Sequence, residues 1–91
     1  MEELYTILAE YRGGTYVSQV RAQTPSQALQ HWSGEKPAGR GDIPSRVRLE
    51  IRKQLSGGDA PVPVSGQQNV WCASGSYRDE LILINVVLTR T

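Results

Sequence analysis

The sequence predicts a small α+β domain of order β-β-α-α-β-β, a four-stranded, mainly antiparallel sheet with two helices packed on one face. Three observations predict it. Residues 4–11 and 15–23, rich in Tyr, Thr, Val and Ile, flank Gly13-Gly14 and read as a β-hairpin. Thr24-Pro25-Ser26-Gln27 reads as a helix entry. Residues 80–91 read as a closing strand whose 81–88 portion is apolar on both sides, which suits the inside of a sheet.

The hairpin comes first. A Gly13-Gly14 turn pairs Arg12 with Thr15 and sets Tyr11 against Tyr16, Ala9 against Ser18, Ile7 against Val20 and Tyr5 against Ala22. All eight share one face, and that face is the predicted core. The other carries Glu10, Arg12, Thr6, Gln19, Arg21 and Gln23, with Leu4, Leu8 and Val17 among them. A slip of one residue would mix the two sets.

Thr24 then caps a short helix, with Pro25 at its first position and Gln27 completing a capping box. Ala28, Leu29 and Trp32 form its apolar patch, and Ser33-Gly34 ends it. Residues 33–42 form a loop. Residues 45–56 fit two patterns. Val47, Leu49 and Ile51 alternate as in a strand, whereas Ile43, Val47, Ile51 and Leu55 recur at helical spacing. Ser45 as cap, the run Arg52-Lys53-Gln54-Leu55 and the stop Gly57-Gly58 decide for helix, leaving Leu49 off the stripe.

Residues 57–66 form a second loop, stiff and extended over Pro61-Val62-Pro63-Val64. Residues 67–74 are the third strand, 75–79 a turn with Tyr77 exposed, and 80–91 the last strand. The more apolar first and last strands belong at the centre of the sheet, the second and third at its edges.

A chain of 91 residues makes a single domain, 1–91, with one modest core and little room for a deep pocket. Ten Lys and Arg against nine Asp and Glu predict no general attraction to nucleic acid or an anionic membrane. Cys72 is the one cysteine, so no internal disulfide forms and a reducing compartment is expected. The acidic Met1-Glu2-Glu3 start lacks the basic region of a signal peptide, and residues 81–88 fall well short of a membrane span. The expectation is a cytoplasmic protein with no membrane partner.

Few residues suggest chemistry. His31 and Cys72 would need hydrogen-bond reach of each other and an orienting third group to act as a nucleophile pair. The plainer reading is a structural thiol and a polar helix residue. Two such residues fall short of a structural zinc site, so neither metal nor cofactor is expected. Arg46, Arg48, Arg52 and Lys53, against Glu50 alone, form the one basic concentration, with Lys36 and Arg40 before them. It suits phosphates or an acidic partner, and it also suits a solvated helix face. Arg40-Gly41-Asp42 reads as coincidence in a chain without an export signal, and Gly39-Arg40-Gly41 lacks the flanking strand and lysine of a phosphate loop. Trp71 and Cys72 point to opposite sides of their strand, so an exposed Trp71 would mark a contact surface.

The segments Tyr5-Thr6-Ile7-Leu8-Ala9-Glu10, Gly13-Gly14-Thr15-Tyr16-Val17 and Thr24-Pro25-Ser26-Gln27-Ala28-Leu29 resemble in outline the start of HicB-type antitoxins, a hairpin followed by a Thr-x-x-x-Ala helix entry. The remainder, including Asn69-Val70-Trp71-Cys72, resembles small bacterial proteins of unassigned function. The residues themselves lead to a non-catalytic interaction module with a protein partner, acting through a sheet edge, a sheet face or the basic helix. The alternative is a nucleic-acid-binding or antitoxin-like regulator using Arg46, Arg48, Arg52 and Lys53.

Overall fold

The computed structural model describes residues 2–35, 43–56 and 61–89. Its strands are β1 (Glu3–Tyr11), β2 (Gly14–Ala22), β3 (Val62–Pro63), β4 (Val70–Tyr77) and β5 (Glu80–Thr89). They form one antiparallel sheet in the order β2-β1-β5-β4-β3. Between β2 and β3 lie α1 (Pro25–Gln30), a π-helical turn over His31–Glu35, and α2 (Ser45–Ser56). β1 and β5 are central, as their apolar composition predicts.

The sheet has five strands rather than the four expected. The stiff segment around Pro63 does more than extend. Val62 pairs with Cys72 and Pro63 with Trp71, which screens one end of β4. A proline, lacking an amide proton, is tolerated there because β3 is the outermost strand of the sheet.

The first hairpin keeps the predicted faces and changes the predicted register. Tyr11 pairs with Gly14, Ala9 with Tyr16, Ile7 with Ser18 and Tyr5 with Val20. The turn residues are Arg12 at φ 53° and Gly13 at φ 80°, not the two glycines. A primed turn needs two positive φ angles, and arginine accepts one here with glycine supplying the other. Gly14 is left in the strand, where the Tyr16 ring lies so close that a Cβ would sit 3.1 Å from its hydroxyl. The displacement is two residues, so the period-2 alternation survives it.

β4 runs to Tyr77, past the turn predicted over 75–79, and the turn is the pair Arg78 (φ 50°) and Asp79 (φ 66°). Gly75 is not a turn residue. A Cβ on it would come within 2.7 Å of both the Gln54 side-chain oxygen and Ile51 Cδ1, so glycine is what lets α2 settle on β4. Gln54 completes the contact. Its Nε2 donates to the Ser76 carbonyl at 2.7 Å, and its Oε1 accepts from the Ser76 amide at 2.9 Å, an amide group standing in for a neighbouring strand. Tyr77 is correspondingly half-buried against the core rather than exposed.

Both helices cover one face. Tyr5, Ile7, Ala9, Ile82, Ile84 and Val86 of the sheet are buried beneath Ala28, Leu29, Trp32, Val47 and Ile51. Thr24 Oγ1 accepts from the Gln27 amide at 3.0 Å, and Gln27 Oε1 accepts from the Gln23 amide at 2.6 Å, a capping box reaching one residue further back than usual. Ser33 and Gly34 continue the helix as a π-turn instead of opening the loop. α2 forms as predicted, with Val47 and Ile51 inward and Leu49 exposed. Its cap is the Pro44 carbonyl, which accepts from Val47 at 3.0 Å and Arg48 at 3.2 Å, so Ser45 is the first helical residue. The side chain of Leu55, the Gly57-Gly58 stop and Arg40-Gly41-Asp42 lie outside the described residues.

Candidate functional site

Alternation along the strands builds a second face with no helix of the described residues over it. Leu8, Val17, Asn85 and Cys72 share its middle row, joined by Val62 beyond Cys72. Glu10, Thr15, Leu83 and Ser74 form the next row toward the hairpin turns, with Leu81 beyond. Thr6, Gln19, Val87 and Val70 form the row on the other side. There Gln19 Nε2 donates to Thr6 Oγ1 at 3.1 Å, and Thr6 in turn meets the Thr89 hydroxyl. Val17 is 62% exposed, Val62 60%, Leu81 60% and Leu83 43%, and all four lie on this face. Among the described strand residues its charges are Glu10 near the hairpin turns and Arg21 at the opposite end.

The edges are partly dressed. β3 and the Gln54 amide screen β4, and on β2 the Arg21 carbonyl is met by His31 Nδ1 at 3.2 Å, the nitrogen that carries the proton in this contact.

The two hairpin turns lie at one end of the sheet, because Tyr11 pairs with Ile82. Arg12 Nε stands 3.2 Å from Glu80 Oε2 and ties the two turns together. Beside them, toward α2, is a concavity of about 400 Å³. Tyr11, Tyr16 and Tyr77 line it with Arg12, Arg46 and Arg78. Arg78 also lies over the Tyr77 ring, 5.5 Å from its centroid. Sequence reasoning missed this cluster. Its signal is a Tyr-Arg pair at 11–12 and again at 77–78, each ending at a two-residue turn.

The predicted basic set is not brought together. Arg46 is exposed at the start of α2 and lines the concavity. Arg48 is 1% exposed, with Nη1 donating to the Trp32 carbonyl at 3.0 Å and the guanidinium 5.9 Å from the Trp32 ring centroid. Arg52 lies tightly across Gly34. Lys53 is exposed and sits 4.0 Å from Glu50, the i,i+3 pair. Positions 46 and 53 thus fall on the outer side of the helix and 48 and 52 on the inner. Trp71 is half-buried on the helix-covered face, edge-on to Tyr5 with centroids 6.2 Å apart.

Cys72 is exposed on the open face, whereas His31 lies beyond β2 at its edge, so they do not meet. No group of three or more His, Cys, Asp and Glu among the described residues is set to hold a metal ion. No helix among them is long and apolar enough to cross a membrane.

Fold and surface together define an open-faced α+β sandwich, one side of its sheet covered by helices and the other uncovered among the described residues. No protein-family model matches the chain, and no curated protein and no solved structure matches it.

Proposed function

We propose that this chain is a small, non-catalytic interaction module that works as a pair of copies joined through the open face of the sheet. The observation that carries this reading is the gathering of Val17, Val62, Leu81 and Leu83 on the face that no helix among the described residues covers. A sheet of this width and strand length offers roughly 600 Å² of flat area per copy, from ~4.8 Å between strands and ~3.3 Å per residue. Two copies then reach about 1,200 Å², the lower end of specific interfaces, which suits a weak dimer. The charges fit the same partner. Stacking two copies with strand directions reversed brings Glu10 of each toward Arg21 of the other, and the centre between them is uncharged.

Sedimentation equilibrium from low micromolar to near millimolar concentration tests it. A monomer–dimer equilibrium that Val17→Lys and Leu83→Lys each abolish is the expected result. These exposed sites leave the fold intact, so circular dichroism of the variants stays native. A monomer throughout the range, or a dimer indifferent to both substitutions, overturns the reading.

A further inference from the structure

We propose that the concavity between the hairpin turns and α2 is a binding site for a small organic phosphate whose phosphoryl group is attached to a flat ring. Three features of the site select that chemistry. The first is charge. Three guanidiniums, Arg12, Arg46 and Arg78, against the one carboxylate of Glu80, leave two positive charges on the lining. A phosphate monoester carries about −1.5 to −2 near neutral pH. The second is shape. Guanidinium forks match phosphate oxygens two at a time, and the Tyr11, Tyr16 and Tyr77 rings share the lining with them, aromatic surface beside the cations. A volume of about 400 Å³ holds one small ligand rather than a chain.

The third is how the arginines are held. Arg12 and Arg78 occupy the first position of their turns at φ 53° and 50°, a conformation that glycine or asparagine adopts at less cost. Arginine at both positions places two cations on the same rim, and the β1–β5 pairing sets the spacing of the turns that carry them, with Arg12 3.2 Å from Glu80 between them. Arg46 closes the third side from α2. This site lies on the helix-covered side of the sheet end and is independent of the pairing face.

Phenyl phosphate is the probe, titrated into the full chain and followed by amide chemical shifts. Movement confined to residues 11–16, 45–47 and 77–80 is expected, with affinity falling as salt is added. Inorganic phosphate should bind about fivefold more weakly for want of the ring. Arg46→Ala and Arg78→Gly should each weaken binding about fivefold. Arg78→Gly suits the positive φ of the turn, so its loss is not a folding loss. Lys53→Gln, which removes an exposed cation on α2 that does not line the concavity, should leave phenyl phosphate affinity unchanged. Adenosine monophosphate and O-phosphotyrosine, run in parallel, distinguish a nucleotide from a phosphorylated side chain as the source. Shifts scattered over the surface, equal binding of inorganic phosphate, full affinity in Arg46→Ala and Arg78→Gly, or an equal loss in Lys53→Gln would each overturn the assignment.

Discussion

Replacing Arg48 by methionine should stabilise this protein. The residue is 1% exposed, and of its guanidinium only Nη1 has an acceptor, the Trp32 carbonyl at 3.0 Å. Nε and Nη2 are buried with none among the described residues. Each buried donor without a partner costs about 1–3 kcal/mol, so the two together cost about 2–6. Against this stand the charged hydrogen bond to Trp32, about 1.5–3 kcal/mol, and a cation–π contact near the limit of its range, about 0.5. Methionine keeps most of the buried stem and removes the uncompensated charge. The balance favours Arg48→Met by about 1–2 kcal/mol, which for a domain of this size raises Tm by about 4–10 °C. Arg48→Ala loses the stem as well, roughly 0.8 kcal/mol per methylene plus a cavity, and should fall about 2–3 kcal/mol below the methionine variant. Urea denaturation of the three proteins measures both differences. A loss of 1 kcal/mol or more in Arg48→Met would refute the reasoning, because it requires a counter-charge on the guanidinium.

Three further outcomes follow from the packing. Thr24→Ala removes the acceptor of the Gln27 amide and should cost about 1 kcal/mol, read from the shift of the urea midpoint at constant m. Gly75→Ala drives a methyl into Ile51 Cδ1 and the Gln54 amide at 2.7 Å and should cost about 1–3 kcal/mol, with the Ser76 amide losing protection from hydrogen exchange. Burial, with Glu3 adding to it, raises the Tyr5 phenol above its ordinary value of 10.0. Its folded pKa exceeds its unfolded one, so the stabilisation is complete below pH 10 and is lost as pH rises through the raised value. Tyr5→Phe should therefore lose less stability than the parent above pH 10, in denaturation curves taken across that range.

Much of this fold is written in local patterns. Tyr5, Ile7, Ala9 and Tyr11 alternate strictly, and a strand has no other way to bury them, so the core face is legible. The register is not. Gly13-Gly14 and Arg12-Gly13 both supply a primed turn, so the residue types at 12–14 do not by themselves choose between the two registers. Gly75 misleads because its missing side chain serves Gln54 and Ile51 across the sheet. Ser45 looks like a cap because of its residue type, yet the Pro44 carbonyl takes the first bonds of α2. Among the candidate site residues, Arg46 and Arg48 are close in sequence and lie on different sides of their helix, one exposed and one buried. Charge counted along the chain cannot separate them. The arginines that do converge, Arg12, Arg46 and Arg78, come from three separate elements, and only the β1–β5 pairing brings their turns to one end.

The two surfaces lie on opposite sides of the sheet, and this separates their energetics. Val17 projects from the open side of β2, while Tyr16, its neighbour in sequence, projects from the covered side into the concavity. One strand thus contributes to both, and period-2 alternation keeps the contributions apart. Pairing through the open face leaves the concavity uncovered, so two copies carry two accessible sites at opposite ends of the assembly. Nothing in this geometry gives a ligand at the turns a different affinity for monomer and dimer, and without differential affinity there is no coupling. Val17→Lys should then abolish pairing at unchanged phenyl phosphate affinity, and Arg78→Gly should do the reverse. The double variant should show both losses at their single-variant magnitudes, within about 0.5 kcal/mol. A larger departure would mean that the turn connecting β1 to β2 moves when the open face is covered, since Arg12 and Gly13 are the residues that join the two sides.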